Sequence, residues 1–158
     1  LGELNAVLAR QYEQDRERGQ HRFATAAVVR FRAAPEGGVL VRAGSGGHPP
    51  PLVLRADGSV EELACRGPLL GVFESGSFVT VQTRLAPGEL IVLYTDGVTA
   101  ARRGRGEFGD ERLRALLATK LGRPASSVAG AIQAAVLEFQ DGVARDDIAV
   151  LAIRAPAT

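Results

Sequence analysis

Three aspartates stand where an apolar run meets a turn. Asp96 follows Ile91-Val92-Leu93-Tyr94 and is trailed by Gly97, while Asp146 and Asp147 precede the apolar run Ile148 to Ile153. A carboxylate at the end of a buried strand sits on the rim of a sheet, its backbone held by the core and its oxygens free to face a cleft. Hard divalent cations such as Mg²⁺ and Mn²⁺ take oxygen ligands of this kind, with water completing the shell. Two such strand ends side by side would make a metal-binding rim. Asp-Gly is equally a common turn, and Asp-Asp before a strand is equally a solvated loop. Taken singly, neither motif says more than that.

Other chemistry-bearing side chains are few. His48 lies in Gly47-His48-Pro49-Pro50-Pro51. Imidazole titrates near neutrality and can protonate a leaving oxygen, or it can simply hydrogen-bond to hold its loop. Arg102, Arg103 and Arg105 follow the Asp96 turn closely. They are candidates to meet a phosphate or an acidic protein face through charge-assisted bonds, and a solvated, glycine-spaced loop fits them as well. The lone cysteine, Cys65, has only Arg66 beside it to activate a thiolate and reads as a small buried side chain. It excludes an internal disulfide and a cysteine-built zinc cluster. His21 lies in a polar stretch and reads as exposed.

The elements that must position these residues can be traced along the chain. Leu1, Leu4, Leu8 and Tyr12 recur at helical spacing and predict an amphipathic helix ending near Gly19. Strands are expected over 23–32, 39–41, 52–55, 60–63, 78–83, 89–94 and 148–153. Asp57-Gly58 is the strongest hairpin signal among them. The cluster Gly44 to Pro51 is expected to be irregular, because it combines flexible and donor-less residues. Two helices are expected, one over 111–121 and a second that follows Pro124-Ala125-Ser126 and reaches Phe139. Strands cluster instead of alternating with helices, which predicts an α+β fold and one domain over residues 1–158. The chain starts at Leu1 and has no methionine, so it is expected to be a piece of a longer polypeptide.

Composition narrows the function classes. Of 158 residues, 46% are apolar and 23% charged, with a net charge of +1 and 5% aromatics. Nucleic-acid binding by a basic stripe or by base stacking is therefore not expected. No apolar run reaches the roughly 20 residues that span a bilayer, and the N-terminus lacks the basic and apolar regions of a signal peptide. A cytoplasmic protein that neither crosses a membrane nor binds nucleic acid is the expectation.

Seven short segments occur in order: Arg22-Phe23-Ala24-Thr25-Ala26, Gly47 to Leu52, Gly67-Pro68-Leu69-Leu70-Gly71, Leu85-Ala86-Pro87-Gly88-Glu89, Leu93 to Thr99, Gly106 to Leu113, and Arg145 to Leu151. This series resembles the SpoIIE/RsbU-type phosphatases, a bacterial branch of the PP2C-like (PPM) superfamily, over nearly the whole chain. The resemblance implies a β-sandwich flanked by helices, with a two-metal Mn²⁺ or Mg²⁺ site at one end. There, activated water would attack a phosphoserine or phosphothreonine with no protein nucleophile. It implies that Asp96 and Asp146 are metal ligands, and that Asp147 is a third ligand or a support for a loop or a metal-bound water. Thr95 and Gly97 would shape the turn. Arg102, Arg103 and His48 would be candidate substrate contacts.

Two departures stand out. The family's first motif, a Gly-Asp pair whose aspartate bridges the metals, has no match in Leu1 to Arg22, and Asp15 sits in a charged helical stretch. Ala100 occupies a position where relatives often carry glutamate, a change expected to tune activity. The partners implied are a phosphorylated anti-sigma-factor antagonist as substrate and an upstream sensory or regulatory domain. Two functions stand: a metal-dependent protein phosphatase, or a phosphatase-like module that binds a partner without turnover.

Overall fold

The computed structural model describes residues 1–16, 23–73 and 75–157. The chain opens with α1 (Gly2–Arg16), then forms β1 (Ala26–Ala33), β2 (Val39–Gly46), β3 (Leu52–Leu54), β4 (Val60–Glu62), β5 (Thr80–Leu85) and β6 (Leu90–Tyr94). A single-turn α2 (Asp96–Thr99), a short hairpin of β7 (Arg102–Arg103) and β8 (Gly106–Glu107), α3 (Gly109–Ala118), α4 (Ala125–Phe139) and β9 (Val150–Arg154) complete it. Every strand pair is antiparallel. One sheet has the order β1-β2-β5 and the other β4-β3-β6-β9. The fold is α+β, as the clustered strands predict.

Alternation along the strands sorts the core into two layers. On β6, Ile91 and Leu93 join Val41, Ala43, Val53 and Leu85 between the sheets. Leu90, Val92 and Tyr94 point the other way and pack under Leu113, Leu117, Val128, Ile132 and Val136 of α3 and α4. A strand buried on both faces must read as a continuous apolar run, which is why this segment stands out in the sequence. Cys65 is fully buried in the inter-sheet layer, and burial pushes its thiol pKa up. It is a packing residue.

Three local expectations need correction. Helix α1 forms as expected with Leu1 and Leu8 half-buried, but Leu4 is 44% exposed, and the fully buried residues are Asn5 and Ala9. The cause is polar docking, because Asn5 Oδ1 accepts from Gly71 N–H at 3.0 Å and its Nδ2 donates to the Phe73 carbonyl at 2.9 Å. The predicted end of this helix near Gly19 lies outside the described residues, as does His21. Second, Gly44-Ser45-Gly46 is the regular end of β2 and not a loop. Glycine suits it because a Cβ on Gly46 would come 2.7 Å from Leu70 Cδ2. Third, the segment carrying Arg102, Arg103 and Arg105 is a hairpin, its two-residue turn made possible by Gly104 at φ 60°.

The registers define two rims. Leu52 of β3 lies opposite Val92 of β6, and Tyr94 lies opposite Val150 of β9. The link 47–51 between β2 and β3 therefore falls at the same end of the sandwich as the end of β6 and the start of β9. Ala26 pairs with Gly46, and Gly44 with Thr80, so β1 and β5 also begin there. The turns 34–38, 55–59 and 86–89 occupy the opposite end.

Candidate functional site

Five of the seven sequence segments meet at the first rim, although they are scattered over more than a hundred residues of chain. Asp96 opens α2 directly beyond β6, and Asp146-Asp147 leads into β9, its neighbour in the sheet. Thr95 straps the two chain segments together. Its hydroxyl donates to the Asp147 carbonyl at 2.7 Å and accepts from Ala149 N–H at 2.9 Å, while its own N–H reaches the Ala149 carbonyl at 3.1 Å. Gly97 lies within the turn that Val98 N–H closes onto the Thr95 carbonyl at 3.0 Å, but its φ is not positive, so the turn by itself does not demand glycine. A Cβ there would stand 2.5 Å from the Asp147 carbonyl oxygen and 3.4 Å from Asp146 Cβ. Glycine is required because the two acidic segments approach so closely.

All three aspartates are exposed. Asp96 Oδ1 accepts from Gly97 N–H at 3.1 Å and Asp146 Oδ1 from Asp147 N–H at 2.8 Å. Each of these carboxylates keeps its second oxygen without a protein hydrogen bond among the described residues. None of the three has an ion-pair partner among the described residues. These are hard, outward-facing oxygen donors, and Asp96 and Asp146 fit as part of a Mg²⁺ or Mn²⁺ site. Among the described residues no three His, Cys, Asp or Glu side chains gather into a group that could hold an ion. The donors present thus fit a share of a metal site.

Beneath this rim Tyr94 is buried, its hydroxyl 3.5 Å from Asp110 Oδ1. Burial, with the Asp110 and Glu62 carboxylates nearby, pushes the phenol pKa well above its ordinary value. It stays neutral at physiological pH and serves packing.

A second cluster occupies the same end. The Ser45 hydroxyl accepts from His48 N–H at 3.1 Å and donates to the His48 carbonyl at 2.5 Å. His48 Nδ1 lies 3.0 Å from Thr25 Oγ1. The loop 67–71 closes over this junction: Gly47 N–H donates to the Gly67 carbonyl at 3.0 Å, and Ala24 and Leu70 exchange backbone bonds at 3.1 and 2.9 Å. Thr25 and Ser45 escape sequence reasoning and Thr95 reads there only as part of a turn, because their partners are distant in sequence or set by one bend. Thr25 and Thr95 at least lie inside the family-like segments, whereas Ser45 lies just before one.

The arginines are differently disposed. Arg102 grips Glu107 across the hairpin through Nε at 3.0 Å and Nη2 at 2.7 Å, and Arg103 lies 3.4 Å from Asp141 beyond α4. Arg105, in the exposed turn, has no carboxylate partner among the described residues.

The fold is that of PP2C-like phosphatase domains. The phosphatase domain of the cell fate determinant SpoIIE from Bacillus subtilis, presoaked with Mn, matches with a TM-score of 0.66 at 15% identity, over 84% of this chain and 57% of that one. The chain belongs to the SpoIIE family, since the family described as Stage II sporulation protein E (SpoIIE) matches residues 1–156. Protein IcfG of Synechocystis is 31% identical over 109 residues, which cover 68% of this chain and 17% of IcfG. Phosphoserine phosphatase RsbU of Bacillus subtilis is 27% identical over 111 residues, 70% of this chain and 33% of RsbU. The chain thus spans a third or less of the length of these relatives. Among the described residues no helix is long and apolar enough to cross a membrane.

Proposed function

We propose that this chain is the C-terminal portion of a single metal-dependent phosphatase domain, over residues 1–158, that removes phosphate from phosphoserine or phosphothreonine of a regulatory protein. The observation that carries this reading is the strap joining Asp96 to Asp146-Asp147. Antiparallel register, the Thr95 hydroxyl and the bare Gly97 bring two acidic segments together at the rim where the other family segments gather. Asp96 and Asp146 would hold Mn²⁺ or Mg²⁺, and Asp147 would ligate or orient a bound water. The bound metal supplies an activated water and neutralises charge on the phosphoryl group. The protein's own contribution is to fix the carboxylates and position the phosphoprotein, with Arg102, Arg103 and His48 as candidate contacts. Arg102 and Arg103 would have to exchange their present carboxylate partners for substrate.

Kinship with phosphoserine phosphatase RsbU supports phosphoserine as the group acted on. That the substrate is a phosphorylated anti-sigma-factor antagonist, with an upstream sensory or regulatory domain and a cytoplasmic setting, is proposed from the family resemblance alone. The second reading, a phosphatase-like module that binds a partner without turnover, is favoured by one observation: no three donors converge among the described residues. The family's bridging aspartate has no counterpart in the matched segments.

Hydrolysis of p-nitrophenyl phosphate with added Mn²⁺ separates the two. We expect activity in a form extended upstream, lost with Asp96→Ala, and little in the present chain. Absence of metal-dependent hydrolysis from both forms would leave the binding module as the function.

A further inference from the structure

We propose that His48 is the proton donor to the leaving serine or threonine oxygen, with Thr25 as the residue that positions it; this rests on the phosphatase reading above. The ring is held from two directions. Ser45, itself only 1% exposed, clamps the His48 backbone through both its N–H and its carbonyl. The Thr25 hydroxyl engages Nδ1 at 3.0 Å. The loop cannot drift, because Gly47 at φ 64° abuts Leu69, where a Cβ would come within 2.6 Å of Leu69 Cδ2. Loop stabilisation therefore uses the backbone and Nδ1, and leaves Nε2 with no protein partner among the described residues. The registers put the link 47–51, which carries His48, at the same end of the sandwich as the Asp96 and Asp146 segments.

The chemistry fits such an arrangement. With Thr25 Oγ1 accepting from Nδ1–H, the proton available for transfer is the one on Nε2. Water oxygen bonds to phosphorus and releases its proton to solvent. The phosphorus–oxygen ester bond breaks, its electron pair stays on the serine oxygen, and that oxygen takes the Nε2 proton. The neutral ring remains as the Nδ1–H tautomer held by Thr25, and solvent recharges it. An alkoxide leaves poorly without a proton, whereas p-nitrophenolate is a stable anion. Dependence on the leaving group is the signature.

Two measurements test this. Nitrogen-15 NMR of the present chain reads the tautomer of the neutral ring. We expect Nδ1–H with a bare Nε2, and loss of that preference in Thr25→Val. A neutral ring protonated on Nε2 would overturn the proposal. In the upstream-extended form, the ratio of phosphoserine-peptide to p-nitrophenyl phosphate hydrolysis is compared between variants. His48→Gln should lower this ratio on the order of a hundredfold, Thr25→Val should lower it in the same sense, and Thr25→Ser should restore it. Equal loss of both rates would assign His48 to loop structure and overturn the proposal. A wild-type form that hydrolyses neither substrate would instead overturn the phosphatase reading, and this inference with it.

Discussion

At the scale of single residues, the acidic rim depends on two uncharged residues. Gly97 permits contact between the Asp96 turn and the Asp147 backbone, and the clash introduced by a methyl group is with main chain, which cannot swing aside. Gly97→Ala should therefore separate the two segments. We expect a loss of about 1–3 kcal/mol in urea denaturation, together with weaker Mn²⁺ binding by titration calorimetry. Unchanged metal affinity would show that the spacing of Asp96 and Asp146 does not matter. Thr95 supplies the complementary attraction. Thr95→Val removes two hydrogen bonds to the segment before β9 and should cost about 1–2 kcal/mol, while Thr95→Ser should keep most of that stability. Neither effect is visible in the sequence, where Thr95 and Gly97 read only as parts of a turn.

At the scale of elements, the turn rim is knitted by a charge network built around Glu89. This side chain is 8% exposed and accepts from Ala86 N–H at 3.0 Å, Ala56 N–H at 3.1 Å and Arg55 Nη1 at 2.9 Å. It joins the β3–β4 turn to the β5–β6 turn. Burial alone would raise its pKa, but the bonds from Ala86, Arg55 and Ala56 outweigh that, and the net shift is downward. A carboxylate with a lowered folded-state pKa stabilises the fold fully above its unfolded pKa, about 4.3. That stabilisation is lost as pH falls through the folded value. Denaturation curves from pH 7 down to pH 3 should thus show the wild type losing its advantage over Glu89→Gln as acidity rises. A gap between the two that stays constant with pH would refute the assignment.

The elements also show what sequence can carry. Runs buried on both faces, such as 90–94, and amphipathic α3 and α4 were legible because burial imposes their periodicity. Asp57-Gly58 was legible because its turn demands a left-handed residue, and Gly58 sits at φ 85°. The family-like segments singled out Asp96 and Asp146, whose backbone segments the fold brings together. The burial of Asn5 was not legible, since its partners lie 66 and 68 residues away. Nor was the regular course of β2 through Gly44-Ser45-Gly46, where neighbouring side chains, and not local propensity, decide the conformation.

At the scale of the whole molecule, the exposed feature of the sandwich is one pair of sheet edges. Strands β5 and β4 form one edge of each sheet, and strands β1 and β9 form the other. The latter two lie on the same side, since Phe31, Arg32 and Ala33 share a cleft with Pro156 and Ala157. Leu151 pairs with Leu93 and faces the layer between the sheets, yet it is 56% exposed, and Phe31 is 38% exposed. Inward-facing apolar side chains beside unpaired backbone donors and acceptors are the feature that drives edge-to-edge association. By contrast, α3 and α4 cover the far face of the four-stranded sheet completely enough to bury Leu113, Leu117 and Ile132. Sedimentation velocity of this chain should therefore show concentration-dependent self-association. The double change Phe31→Lys and Leu151→Lys should shift it toward monomer, because a charge placed on an edge strand must be desolvated if another strand pairs there. The same double change made in a form extended upstream should act in the same sense. Association that persists in both cases would locate the sticky surface elsewhere, and the exposed Leu4 and Val7 face of α1 would be the next to alter.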